Sequence, residues 1–161
     1  MYYYDDQIGS LIAEIEKLHR RNELSKTITD DYFEPGMMEY LEQSDGCFDE
    51  NTGIFTIMFE SKGTRYGDRT ERIEKAHVGD IIVLVRERDN KYNPNNFMIQ
   101  TAKGHDIGNM PAELCNAIAP LYDSGRLEFI SSEVSFVEPI SKRSRHAKQA
   151  VLFVKLKGRL V

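Results

Sequence analysis

The residues best suited to chemistry fall in two short stretches. Gly63-Thr64-Arg65-Tyr66 sets a guanidinium beside a phenol ring. The planar fork of arginine matches phosphate oxygens, and a tyrosine face can stack on a base. Arg86, Arg88, Asn90, Lys91, Tyr92, Asn93, Asn95 and Asn96 crowd the second stretch. A loop needs only a few asparagines for its turn geometry. So many amides beside a tyrosine and three cations give hydrogen-bonding capacity for a polar ligand. A long hairpin turn with solvated charges would use the same residues, and both readings stay open here.

Catalytic signatures are missing from the sequence. His19, His77, His105 and His146 stand at no metal-ligand spacing from one another or from cysteine or carboxylate, and each is expected at the surface. There is no nucleophile elbow, no phosphate-binding P-loop and no dinucleotide glycine turn. Cys115 has no histidine adjacent in sequence and reads as a small core residue. With Cys47 it makes two cysteines, too few for a disulfide framework and without zinc spacing. The expectation is a protein that is not an enzyme and holds neither metal nor cofactor.

The elements that must position these stretches come from 161 residues with a net charge of −5. That length suits one domain with a small appendage. The charge is unevenly spread. Residues 1–52 hold 13 acidic against 4 basic side chains, and residues 53–161 hold 13 against 17. An acidic segment of 1–52 thus precedes a mildly basic domain of 53–161. No apolar run approaches a membrane span, and the start Met1-Tyr2-Tyr3-Tyr4-Asp5-Asp6 lacks the basic and apolar parts of a leader. A cytoplasmic protein without a membrane partner is expected.

Ile8, Leu11, Ile12, Ile15 and Leu18 recur at helical spacing, capped by Asp5 or Asp6. A second short helix is expected from Pro35 to Gln43, its Met37, Met38, Tyr40 and Leu41 packing against the body of the protein. From Gly53 the pattern turns to strand. Ile54–Phe59 reads as a strand covered on both faces. Val78 to Arg86 is the strongest strand, its Gly79-Asp80 leading into Ile81–Val85, followed by strands at Phe97–Thr101, around Ile107, at Leu127–Val137 and at Ala150–Lys157. Lys142-Arg143-Ser144-Arg145-His146-Ala147-Lys148 forms a basic hairpin between the last two. Pro111 and Gly125 bracket one helix carrying Leu114, Ile118 and Leu121. The sum is an α+β fold of five or six mostly antiparallel strands, which a small closed barrel would satisfy because closure removes the sheet edges.

Several ordered segments resemble the HIRAN domain family. They are Gly63-Thr64-Arg65-Tyr66, Val78-Gly79-Asp80, Leu84-Val85-Arg86-Glu87 and Asp89-Asn90-Lys91-Tyr92-Asn93-Pro94-Asn95. Ile107-Gly108-Asn109-Met110-Pro111-Ala112-Glu113-Leu114 and Leu121-Tyr122-Asp123-Ser124-Gly125 complete the set. The resemblance covers about residues 53–160 and leaves the first 50 outside. It implies a modified OB-like barrel with one inserted helix. It also implies a nucleic-acid-binding module that takes single-stranded DNA or a DNA 3′ end, as in translocases acting at stalled forks. Partners would be DNA strands or ends and a helicase, nuclease or other DNA-processing protein. Carried over, Arg65 and Tyr66 match the phosphate-contacting and base-stacking start of the pocket, and Asn90, Tyr92 and Asn93 match its second part. Asn109 lies where the glycine segment nears the site, and Arg88 belongs to the same loop. Asn93 stands where the family has aspartate, Gly67 where it has a second aromatic, and Asn96 where it has a small residue. Lys142, Arg143 and Arg145 stand where some members present an aromatic from the last hairpin. The alternative is a protein-interaction domain that kept the barrel and lost the nucleotide pocket.

Overall fold

The computed structural model describes residues 48–161 together with Met37, Tyr40 and Leu41. The helix expected near residues 5–21 and the charge of the acidic segment lie outside these residues. So does most of the Pro35–Gln43 helix. Its three described residues are helical, and Met37 and Leu41 are buried in the core.

Among the described residues six strands form two antiparallel sheets. The first is ordered β1 (Ile54–Glu60), β6 (Val151–Leu160), β5 (Leu127–Glu138), and the second β2 (Ile82–Glu87), β3 (Asn96–Thr101), β4 (Asp106–Asn109). Two helices cross between strands: α1 (Arg69–Glu74) after β1 and α2 (Ala112–Asp123) after β4. Strand alternation sets the core. Phe55, Ile57 and Phe59 of β1 are buried, as are Leu152, Val154 and Leu156 of β6, and Phe97 and Ile99 of β3. Leu114, Cys115 and Ile118 of α2 close the layer. Phe97, Tyr122 and Phe129 meet ring to ring, with centroids 5.0–5.4 Å apart. The expectation that β1 is covered on both faces is corrected: Ile54 and Thr56 are half-buried and Met58 is exposed.

The strands do not close into one continuous barrel. The sheets meet at two seams, each a single bridge: Lys62 with Asn109, and Ile81 with Glu133. The physical reason lies at the seams: the chain turns away just after Lys62 at Gly63 (φ +70°) and reaches Ile81 from a turn at Gly79 (φ +92°), so neither edge offers a second pair. Register shifts in β5 and between β3 and β4 bend strands within each sheet. The Lys62–Asn109 seam is nonetheless firm, with N–H···O=C bonds of 2.8 and 2.9 Å in both directions. Gly108 permits it. A Cβ there would stand 1.9 Å from Ser61 Oγ, and φ is +136°, so glycine alone lets β4 approach so closely.

Candidate nucleic-acid interface

An open groove of about 740 Å³ lies beside the Lys62–Asn109 seam. Its walls come from both sheets. The loop after β1 supplies Gly63, Tyr66 and Gly67, α1 supplies Arg69 and Arg72, and the loop after β2 supplies Asn90 and Tyr92. Glu87, Met98, Asp106 and Asn109 complete it, and Asp68 stands at the start of α1.

Tyr92 is 98% exposed and Tyr66 57% exposed. The chain fixes Tyr92 through two side-chain turns. Asn90 Oδ1 accepts from the backbone N–H of Tyr92 (2.9 Å) and of Asn93 (3.0 Å). Asn93 Oδ1 accepts from the N–H of Asn95 at 3.0 Å. Asparagine favours such turns because its carbonyl replaces a backbone acceptor. Tyr66 is held by its neighbour: the Arg65 guanidinium lies 4.9 Å from the ring centroid and donates to Tyr66 Oη at 2.8 Å.

The floor is a polar network. Asn96 Nδ2 donates to Glu87 Oε1 (2.7 Å) and Asn109 Oδ1 (3.0 Å). Arg69 donates to both oxygens of Asp106, at 3.1 and 2.9 Å, and to the Gly63 carbonyl at 2.9 Å. Gly63 has a φ of +70°, and a Cβ there would press on the Arg69 guanidinium at 2.9 Å. Arg72 donates to the Asp106 carbonyl at 2.9 Å and approaches Asp68 at 3.8 Å. Two arginines therefore face three carboxylates in the lining (Asp68, Glu87 and Asp106), and the groove itself carries no surplus of positive charge.

Residues 54–155 match the model of the HIRAN domain. The chain belongs to the HIRAN family. The HIRAN domain of human HLTF is 18% identical, with 65% of this chain and 76% of that one covered at a TM-score of 0.47. A protein from Lactobacillus plantarum is 21% identical over 65% of this chain and 98% of that one, at a TM-score of 0.48. The HLTF HIRAN domain in its DNA-bound conformation is 15% identical over 68% and 80% of the two chains, at a TM-score of 0.46. No curated protein matches the chain.

In this HIRAN domain four of the seven residues singled out in the sequence share the groove: Tyr66, Asn90, Tyr92 and Asn109. Arg65 lies next to it over Tyr66. Arg88 and Asn93 turn toward α2 instead. Arg88 donates to Asp123 at 3.2 Å, and Asn93 Nδ2 donates to Asn116 Oδ1 at 3.2 Å. The amide capacity of the loop is largely spent within the protein. Arg69 and Arg72 were missed. Three residues apart, they share one helix face, and this spacing after Gly67-Asp68 was the available signal. Cys115 is buried, donates its S–H to the Met110 carbonyl at 3.4 Å, and has its thiol pushed up to about 11 by burial. His77, His105 and His146 are exposed. Among the described residues no group of three or more His, Cys, Asp or Glu could hold a metal, and no helix is long and apolar enough to cross a membrane.

Proposed function

We propose that this HIRAN domain is a non-enzymatic nucleic-acid-binding module that takes one strand of DNA, or its 3′ end, along the groove between Tyr66 and Tyr92. The observation that carries the reading is the pair of exposed tyrosines, brought from two different loops to one groove. Aromatic rings on a groove stack on successive bases with little regard to sequence. Asn90 and Asn93 fix the backbone turn that carries Tyr92, so only the ring's own rotamer has to be ordered on binding. The family match supports the ligand class, since one HIRAN domain, that of HLTF, has been solved in its DNA-bound conformation. The buried, weakly acidic Cys115 thiol offers no nucleophile to the groove.

The test is a fluorescence-anisotropy titration of a short single-stranded oligonucleotide, carrying either a free or a phosphorylated 3′ end, at fixed low salt. Binding that Tyr66→Ala and Tyr92→Ala each weaken is the expected result. A preference for the free end assigns 3′-end recognition, and equal affinity assigns general strand binding. No binding of either oligonucleotide overturns the reading.

A further inference from the structure

The groove leaves a charge problem. A strand brings one negative charge per nucleotide, yet the lining holds three carboxylates against two arginines. Arg69 is fully engaged with Asp106 and Gly63. The cations that neutralise a bound strand must lie outside the groove.

The loop between β5 and β6 supplies them. Residues 138–150 carry Lys142, Arg143, Arg145 and Lys148 against the single acid Glu138. Lys142, Arg145 and Lys148 are exposed and pair with no carboxylate among the described residues. The fold places this loop beside the tyrosine loop. β1 and β6 are antiparallel, with Glu60 opposite Phe153, so the chain leaving β1 and the chain entering β6 emerge from the same end of the sheet. Side chains then tie the two together. Thr64 Oγ1 donates to the Ala150 carbonyl at 3.0 Å. Thr70 Oγ1 donates to the Thr64 carbonyl at 2.9 Å and accepts from the Ala150 N–H at 3.2 Å. Arg143 braces the loop from within, donating to the Gln149 carbonyl at 2.6 Å.

We propose that the basic loop of residues 142–148 is a second, backbone-binding site. A strand seated in the groove continues over the Thr64–Ala150 junction and lays its phosphates on Lys142, Arg145 and Lys148. The inference rests on the groove reading and adds a division of labour to it: bases stack at the tyrosines, and phosphates are neutralised on the loop. The consequence is that affinity depends on strand length, because a short oligonucleotide fills the groove alone.

The experiment compares the full-length chain with two variants, K142Q/R145Q/K148Q and Y66A/Y92A, on thymidine oligonucleotides of about 4 and about 15 nucleotides, each over a series of salt concentrations. Thymidine strands lack secondary structure and report backbone contacts cleanly. The loop variant is expected to bind the short strand within twofold of the parent and the long strand at least tenfold more weakly. Its salt slope on the long strand should fall by about 2, since each phosphate contact on a single strand contributes roughly 0.7. The tyrosine variant is expected to lose both strands. If the loop variant binds the long strand like the parent while the tyrosine variant does not, the loop proposal is overturned and the groove reading stands. If the long strand survives the tyrosine variant and is lost in the loop variant, the loop remains a phosphate site and the groove reading falls. Binding of neither strand by the parent removes both. Polyglutamate of matched charge, if it loses affinity to the loop variant as the long strand does, reassigns the loop to acidic protein partners and overturns the proposal.

Discussion

Two arginine–aspartate pairs brace this domain, and each joins residues 37 apart in sequence. Arg86 grips Asp123 with two bonds of 3.0 and 2.9 Å, and also donates to the carbonyls of Pro94 (2.6 Å) and Asn96 (3.3 Å). It thereby ties β2, the Tyr92 loop and the end of α2 together, away from the groove. Arg69 grips Asp106 in the same bidentate way, but on the floor of the groove. Both side chains are mostly covered, 10% and 16% exposed. The contrast teaches that neither arginine is a phosphate hand. Each spends its fork on the protein, one to build the wall that presents Tyr92 and one to shape the floor between the tyrosines. What remains for a ligand is the unspent surface, the two rings and the exposed cations around them.

Removing the first clamp should have the largest effect. Arg86→Ala leaves Asp123 with only its bond from Arg88, takes a donor from the Pro94 and Asn96 carbonyls, and uncovers Phe97, whose ring lies 5.5 Å from the guanidinium. A stability loss of about 2–4 kcal/mol is expected in urea unfolding. A loss below about 1 kcal/mol would show that Arg88, which also reaches Asp123, carries the clamp alone.

Tyr92→Ala separates presentation from contact. The ring is almost fully exposed, so stability should change by no more than about 0.5 kcal/mol. Strand affinity should fall by about 1–3 kcal/mol, the worth of one stacked base. Unchanged affinity would mean that the wall built by Arg86 presents nothing to the strand.

These effects show which parts of the molecule were legible in the sequence. Strand patterning and the Pro111/Gly125 punctuation located all six strands and α2; five strands are long enough for their period to show, and the four-residue β4 was expected only as a short strand around Ile107. α1 was missed: six residues with no side-chain cap leave too little pattern. Closure failed because each seam is a single bridge between residues far apart in sequence, Lys62 with Asn109 and Ile81 with Glu133, which local pattern does not encode. In the site, residue type singled out the two tyrosines that the fold brings to one groove. It could not tell that Asn90 and Asn93 would spend their amides on turns, or that Arg88 would face Asp123. The asparagine turns close on residues two or three along the chain, but Arg88 and the Asn93 amide nitrogen find partners on α2, 35 and 23 residues away.

The second clamp predicts a smaller, electrostatic effect. Arg69→Gln leaves Asp106 uncompensated on the groove floor, where it repels phosphate. Strand affinity at low salt should drop roughly tenfold, or about 1.4 kcal/mol. Adding Asp106→Asn should recover most of that loss. If the double variant binds as weakly as the single, the guanidinium itself touches the strand and the contrast with Arg86 collapses.

Acid should act on the first clamp through Asp123. The hydrogen bonds from Arg86, with Arg88 adding to them, hold its carboxyl below the usual 3.8. A depressed folded-state pKa gives stability that is present above the unfolded value and lost as pH falls through the folded one. The clamp should therefore be intact from neutral pH down to about 4 and loosen only below it. Nuclear magnetic resonance titration of the Arg86 side-chain signals would follow this, and loosening already near pH 6 would contradict it.

Asn93→Asp is expected to change least, and it tests the family's aspartate at this position. Asn93 Oδ1 accepts from the Asn95 N–H, a bond that a carboxylate keeps. Its Nδ2 donates to Asn116 Oδ1, which also accepts from Asn95 Nδ2. Aspartate would set an oxygen against that acceptor until the Asn116 amide turns over and donates instead, and the Asn95 amide turns over with it to accept, so stability should stay within about 0.5 kcal/mol. The new carboxylate would still point at α2, outside the groove. The ratio of affinities for a free 3′ end and a 3′-phosphate should accordingly change less than twofold, measured at fixed salt with Tyr66 intact. A several-fold rise in preference for the free hydroxyl would mean that residue 93 swings to the strand when DNA binds. Its turn would then be a movable part of the site, unlike the walls held by the two arginines.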